Sequence, residues 1–217
     1  MRSDTATNIG TKKRASKQGR PSDDAKRKAI IEAAAHRFFD HGFAATAIEQ
    51  VAADAGVSKV TVYNHFGNKR ALFGAAVELE CEKMRGYFSI ENTQQGSIRD
   101  RLTAIGEAMF DFLMRPEMMR FEHRIAAETE HDPDIGLAFL EAGPWQMRAS
   151  FAEFLAHADA KGELNIADPR LAAEQFVSMC KGMGDLERRF GSPVTAEGRN
   201  LRIKGAVDVF LAAFRPD

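Results

Sequence analysis

The stretch GVSKVTVYNHFGNKRALF, residues 56–73, contains two helix starts in close succession. Ser58 can cap a helix from Lys59 to Phe66, and Asn68 can cap the next helix from Lys69. Gly56 suits the turn that precedes them. The first helix is short, and helices below about 12 residues are marginal in water. It must therefore be held by packing against its neighbours.

One face of this short helix is suited to packing and the other to nucleic acid. Val62 and Phe66 are four residues apart and share a face that can point inward. The outer arc then carries Lys59, Val60, Thr61, Tyr63 and Asn64, with His65 at its edge. Lysine can pair with guanine acceptors, asparagine with adenine, and a threonine or valine methyl can touch a thymine methyl. This mixture predicts a helix that enters a major groove.

The preceding residues complete a helix-turn-helix pattern. Thr46 and Glu49 have the spacing of a capping box and predict a helix to about Ala55. Ala52 is small where the two helices would cross, and Gly56 follows in the turn. An earlier helix, from Asp24 to a stop at Gly42, carries an apolar stripe at helical spacing: Ile30, Ala34 and Phe38.

Residues 24–73 resemble the DNA-binding domain of the TetR/AcrR family of bacterial transcriptional regulators. The matching segments are GRP at 19–21, RFFDHGF at 37–43, TAIEQVAADAGVSKVTVYNHF at 46–66 and NKRALF at 68–73. The resemblance implies a three-helix DNA-binding head and a larger helical body that dimerises and binds a small molecule. It also implies phosphate contacts at Thr46, Ser58, Tyr63, His65 and Lys69, and base-facing positions at Lys59, Val60, Thr61 and Asn64. Val60 is larger than the residue often found at its position.

The charge of the chain is divided in the same way. Residues 1–73 hold 13 Lys/Arg and 7 Asp/Glu, whereas the rest is acidic, so the net charge of -1 hides a basic module. We expect a disordered basic arm at 1–22, a helix-turn-helix domain at 23–73 and a ligand-binding and dimerisation domain at 74–217. The arm can reach into a minor groove or merely attract phosphate without sequence preference.

The body is also helical in pattern, and no run of residues alternates as a strand would. The predicted fold class is therefore all-α. Methionine and aromatic residues are concentrated here, as in cavities that adapt to apolar ligands. Ordinary helical core is the other interpretation. The candidate ligand-binding residues are Met109, Phe112, Leu113, Met118, Phe121, Trp145, Met147, Phe151, Phe176, Met179 and Met183.

Residues 120–144 resemble the body of the AefR-like branch of the same family. The last two helices are the candidates for a homodimer, because each has an apolar stripe. One stripe includes Phe176, Val177 and Cys180 beside Gly182 and Gly184. The other holds Leu201, Ile203, Val207, Phe210, Leu211 and Phe214. Two helices from each subunit would form a four-helix bundle.

The sequence lacks the motifs that are typical of enzymes and of nucleotide- or metal-binding proteins. The sequence has no nucleophile elbow, P-loop, HExxH motif or clustered CxxC, so we expect no catalytic residue, cofactor or metal site. His123 and His131 stand among acids, where surface charge explains them better than a metal. Cys81 and Cys180 are typical of buried thiols in a reducing cytoplasm, and no segment is long enough to span a membrane.

The sequence as a whole indicates a cytoplasmic, ligand-responsive regulator, most simply a repressor. We expect it to bind a palindromic double-stranded operator as a dimer and to be released by a small lipophilic or aromatic effector. A structural DNA-binding protein that senses nothing, and an all-helical enzyme with a vestigial head, are the alternatives.

Overall fold

The computed structural model of the chain describes residues 22–85 and 96–216, with the backbone alone at 83–85. Every regular element in this part is helical, which confirms the all-α prediction. The head contains α1 (Asp23–Ala45), α2 (Ile48–Asp54) and α3 (Lys59–Phe66), and α4 (Lys69–Arg85) leaves it. The body follows with α5 (Ile98–Leu113), α6 (Pro116–Thr129), α7 (Pro133–Ala142), α8 (Pro144–Ala160), α9 (Pro169–Arg189) and α10 (Ala196–Ala213).

Most helices begin at a side-chain cap, and the caps predicted at Ser58 and Asn68 are confirmed. The Ser58 hydroxyl accepts from the Thr61 amide, and the Asn68 carboxamide oxygen accepts from the Ala71 amide. Ser97 and Asp100 form a reciprocal capping box, while Asp168 and Thr195 cap α9 and α10. Such caps satisfy backbone amides that lack a partner in the first turn of a helix.

The predicted capping box at Thr46 is wrong. Ala47 occupies the N-cap position of α2 and no side chain caps this helix. The Thr46 hydroxyl instead donates to the Gly42 carbonyl at 2.7 Å and lies within hydrogen-bonding distance of the Arg37 carbonyl at 3.2 Å. Thr46 is buried between the two helices, so its hydroxyl reaches back to α1 rather than forward to α2.

Gly42 breaks α1, although the helix continues for one turn beyond it to Ala45. Its φ of 85° and ψ of 178° lie in a region that is essentially restricted to glycine. A Cβ at this position would meet Oε1 of Glu128 in α6, at the end of a flexible side chain. The backbone conformation therefore requires glycine here, and a larger residue would also displace the Glu128 carboxylate.

One continuous apolar core joins head and body. Phe38 of α1 packs edge-on against Phe73 of α4, with ring centroids 5.2 Å apart. Val62 of α3 lies in the same core, whereas Phe176 and Phe210 pack together in the body. The predicted domain boundary after residue 73 falls inside α4, which belongs to both parts of the fold.

No helix in the described part of the chain is both long and apolar enough to cross a bilayer. The predicted basic arm lies almost entirely outside the described residues, which begin at Ser22.

Candidate nucleic-acid interface and ligand cavity

The outer arc of α3 is presented to solvent. Val62 on the inner face is 1% exposed, whereas Val60 is 66% and Tyr63 is 39% exposed on the outer face. Lys59 and Asn64 are exposed beside them, and Thr61 is half-buried. An exposed valine and tyrosine on a helix held by its opposite face give a surface that can contact bases in a groove.

Lys59 is held in place by an acidic neighbour. Its ammonium lies 2.6 Å from Oε1 of Glu49 in α2 and 5.8 Å from the Tyr63 ring centroid. The hydrogen bond that Lys59 donates to Glu49 raises the pKa of Lys59, so the side chain remains charged. Glu49 pairs with Lys59 on the surface that would face DNA. It therefore competes with a phosphate or a guanine for the Lys59 ammonium group.

Five residues were predicted to contact phosphate. Tyr63 lies on the outer arc of α3, and the other four differ in how accessible they are to solvent. The Ser58 hydroxyl is exposed and 2.8 Å from the Thr61 hydroxyl. His65 is only 12% exposed at its side chain, with Nε2 3.5 Å from Asp23 Oδ1. Lys69 donates to the Ala44 carbonyl at 3.3 Å, and burial lowers its pKa. Since Thr46 is buried, we leave it out of the proposed DNA contacts.

The body contains a cavity of about 290 Å³ between α1 and helices α4–α9. Seven of the predicted ligand-binding residues line it: Met109, Phe112, Leu113, Met118, Trp145, Met147 and Phe151. Its lining is mainly apolar with a few charged groups, which is the usual composition of a small-ligand site.

Four predicted residues lie outside the lining of this cavity. Phe121 is fully buried among Phe39, Phe73 and Phe139, and Phe176 is buried against Phe151 and Phe210. Met179 is packed against the core, and Met183 is 62% exposed. Phe121, Phe176 and Met179 therefore contribute to core packing, whereas Met183 lies on the outer surface of α9.

Several lining residues were not predicted from the sequence. They share no motif, and they are Phe39, Val77, Cys81, Glu122, Phe139, Leu140, Pro144, Arg148, Glu174, Val177, Ser178 and Lys181. A signal existed for Phe39: adjacent residues on a helix point about 100° apart, so Phe38 and Phe39 face different directions. Phe38 packs in the head and Phe39 turns toward the body.

Helix α6 forms hydrogen bonds with the C-terminal part of α1. The Arg124 guanidinium donates to the carbonyls of Phe39, at 3.0 Å, and Asp40. One turn further along α6, Glu128 Oε2 accepts from the Ala44 amide at 2.9 Å. The Arg70 guanidinium of α4 adds ion pairs to Asp132 and Asp134 at the start of α7. The head is therefore tied to the body by two helices, α4 and α6.

The predicted apolar stripes of the last two helices point into the subunit. Phe176, Cys180, Ile203, Val207 and Phe210 are all buried in its own core, and burial raises the pKa of Cys180 to about 12. Gly184 lies against the Arg202 guanidinium of α10. Leu201 is the exception in the predicted stripes, because it is exposed, as are Leu171, Met183 and Leu186 of α9, Phe190 at its C-terminal end and Val209 of α10.

Comparison with known proteins identifies the family. A model of the bacterial regulatory proteins of the tetR family matches residues 30–76, and a model of the C-terminal domain of AefR-like transcriptional repressors matches residues 100–216. The chain belongs to the TetR family. It is a DNA-binding transcriptional regulator and not an enzyme. The matched ranges cover the helix-turn-helix and most of the cavity-forming body.

Relatives of this TetR-family chain agree over nearly the whole length. The transcriptional regulator YezE of Bacillus subtilis is 25% identical over 84% of this chain and 93% of its own. A solved TetR-family regulator from Mesorhizobium loti is 28% identical, covering 90% of this chain and 99% of its own, with a TM-score of 0.75. The structure of the flavonoid-responsive regulator FrrA is 30% identical over 89% of this chain and 98% of its own, with a TM-score of 0.71.

Proposed function

We propose that this protein is a cytoplasmic, ligand-responsive repressor that binds a palindromic operator as a homodimer and is released by a small aromatic or lipophilic molecule. The observation that carries the DNA-binding part is the exposed arc of α3, where Val60 and Tyr63 face solvent beside Lys59 and Asn64. The match of the body to AefR-like transcriptional repressors favours repression over activation.

The exposed apolar residues of α9 and α10 support dimerisation through these helices. Phe190 is 83% and Leu201 is 63% exposed, and isolated subunits rarely leave such a patch uncovered. Gly205 is exposed between Leu201 and Val209, with open space where a Cβ would lie, so another helix can approach closely. A two-fold dimer presents two copies of α3, which requires a palindromic operator.

The cavity supports an aromatic effector. Phe112, Trp145 and Phe151 supply rings to its wall, and Met109 and Met118 supply flexible apolar side chains. The related protein FrrA is described as flavonoid-responsive, which agrees with a flat aromatic molecule as the effector of this chain.

Two helices can transmit occupancy of the cavity to the head. Val77 and Cys81 of α4 and Met118 and Glu122 of α6 all line the cavity. The same two helices hold the head, through α4 itself and through the contacts of Arg124 and Glu128 with α1. A ligand that favours a different arrangement of α4 and α6 would change the spacing of the two α3 helices.

Release of the operator is tested with the full chain and DNA from the regulatory region of its own gene. Fluorescence anisotropy measures the affinity, and quenching of Trp145, the one tryptophan of the sequence, reports which aromatic compounds enter the cavity. We expect compounds that quench Trp145 to weaken DNA binding. A DNA-binding protein that senses nothing would retain the same affinity with every compound.

Sedimentation equilibrium tests the dimer. We expect the wild-type chain to be a dimer and Leu201→Glu to be a monomer that still folds. Leu137→Glu is the matched control, because Leu137 is also an exposed leucine but lies on α7. A Leu201→Glu variant that remains dimeric would place the interface elsewhere.

A further inference from the structure

The cavity has one end that differs in chemistry from the rest. Four charged residues line the cavity, and two of them, Arg148 and Glu174, pair with each other at 3.2 Å. The other two, Glu122 of α6 and Lys181 of α9, lie near a third charged residue, Arg188, which is outside the lining. We call Glu122 and Lys181, with Arg188 behind them, the polar end of the cavity.

Arg188 is buried and has unused donors. Its side chain is 9% exposed and folds back along α9, since Nη2 donates to Asp185 three residues earlier at 3.2 Å. Its Nε and Nη1 atoms are buried without a hydrogen-bond partner among the described residues. A buried cationic donor without an acceptor is costly, so such a group is normally met by water, an ion or a ligand.

The charges of this region leave positive charge in excess. Asp185 lies within 3.6 Å of Lys181, 3.2 Å of Arg188 and 3.1 Å of Arg189, so one carboxylate serves three cations. Those cations hold the pKa of Asp185 below its ordinary value despite its partial burial.

Glu122 is the remaining acid that lines the cavity here, and even when it is ionised it balances only one of the two positive charges that Asp185 leaves uncompensated. Burial raises its pKa, and the effects of Lys181, Arg189 and Arg188 only partly oppose that shift. A protonated Glu122 would present a hydrogen-bond donor to a ligand, whereas an ionised one would repel an anion. The polar end therefore offers donors more readily than acceptors.

We propose that the polar end seats an anionic oxygen of the effector, a carboxylate or an acidic phenolate, which accepts a hydrogen bond from Lys181 and is attracted by the buried positive charge of Arg188. The aromatic part of the same molecule then lies among Met109, Phe112 and Trp145. This inference rests on the proposed function and narrows its effector to aromatic acids. The anion would offset the buried positive charge of Arg188, two of whose donor atoms have no partner among the described residues.

Three ligands of the same shape and different charge test the proposal: 2-naphthoate, 2-naphthamide and 2-naphthylmethylammonium. Calorimetric titration of the full chain should give an affinity for naphthoate at least about tenfold above that for the amide, as expected for hydrogen bonds to charged donors. The cation should bind most weakly.

Variants locate the preference. In Arg188→Gln and in Lys181→Gln the advantage of naphthoate over the amide should shrink to about threefold or less, since a positive charge near the carboxylate is lost. Arg189→Gln is the matched control: Arg189 also contacts Asp185 on α9 but is 42% exposed, and we expect its variant to keep the preference. Thermal melting verifies that each variant is folded.

The outcomes separate this inference from the function on which it rests. Equal affinity for naphthoate and the amide, or tightest binding of the cation, would overturn the polar-end proposal while leaving an aromatic-binding cavity intact. If none of the three binds, or if Val177→Phe, which fills the cavity, changes nothing, both the polar-end proposal and the assigned effector site are wrong.

Discussion

Phe39 of α1 stacks on Phe121 of α6 with ring centroids 4.0 Å apart and ring planes 11° from parallel. Phe39 also lines the cavity, although its helix belongs to the DNA-binding head. Its neighbour Phe38 packs in the core of that head against Phe43 and Phe73. Two successive residues of α1 thus contact the DNA-binding module on one side and the ligand cavity on the other.

Phe39→Leu should weaken the coupling between ligand and DNA. In the wild type, operator DNA should lower the affinity for an aromatic acid such as 2-naphthoate by about 5- to 150-fold, the usual range of allosteric coupling. The variant should show a smaller ratio, because the stacked contact with α6 is lost. Phe139→Leu is the control, since Phe139 also lines the cavity and contacts Phe121 but lies in α7. Full coupling in Phe39→Leu would contradict this account.

Gly42→Ala should destabilise the protein more than Gly56→Ala. Both glycines have positive φ, but Gly42 is in a region that costs other residues about 1–3 kcal/mol. Its added Cβ would also displace the Glu128 carboxylate, whereas a Cβ at Gly56 meets open space. Urea unfolding measures the difference. Equal losses for the two variants would show that the contact between α1 and α6 contributes nothing.

Thr46→Val should cost stability without changing operator affinity. The buried hydroxyl bonds to the Gly42 carbonyl, and a lost buried hydrogen bond costs about 1–3 kcal/mol. The variant should melt at a lower temperature, while the folded variant binds operator DNA as the wild type does. A large loss of affinity at unchanged melting temperature would instead support a phosphate contact at Thr46.

Glu122→Gln should raise the melting temperature near pH 8 and have less effect near pH 5. Burial raises the pKa of Glu122 from its ordinary 4.5, so the folded protein holds this proton more tightly than the unfolded chain does. Its favourable contribution is complete below the unfolded pKa and is lost as the pH rises through the folded pKa. Glutamine never ionises and avoids that loss. Glu117→Gln, at an exposed position of the same helix, is the control. A gain that does not change with pH would contradict the assignment.

The helices were predictable because local signals and tertiary packing agree in most of them. Val62 and Phe66 are on the inner side of α3 as their spacing requires, and the caps Ser58 and Asn68 occur where the sequence indicates. At Thr46 two local interactions compete. The hydroxyl can bond forward to the next helix or backward to the Gly42 carbonyl, and the kink in α1 brings that carbonyl within reach.

The cavity was only partly predictable for a different reason. Periodicity distinguishes apolar from polar faces, but it does not reveal whether an apolar face meets a neighbour, a cavity or another subunit. Phe176 and Met183 have similar apolar character on α9, yet the first is in the core and the second is exposed. Glu122 and Lys181 were missed because a charge on a helix is ordinarily solvated, and only the tertiary fold brings these two residues of α6 and α9 to the same cavity.

The most direct test of the central claim, that α3 reads DNA, compares the DNA affinities of the wild-type protein and the Tyr63→Ala variant by fluorescence anisotropy. The probes are a fragment from the regulatory region of its own gene and a shuffled fragment of equal length, with Leu137→Ala as a control for an exposed apolar residue. We predict that wild type and Leu137→Ala prefer their own fragment by at least about a thousandfold. Tyr63→Ala should lose that preference at an unchanged melting temperature. Undiminished preference in Tyr63→Ala would contradict the assignment of α3 as the DNA-reading helix.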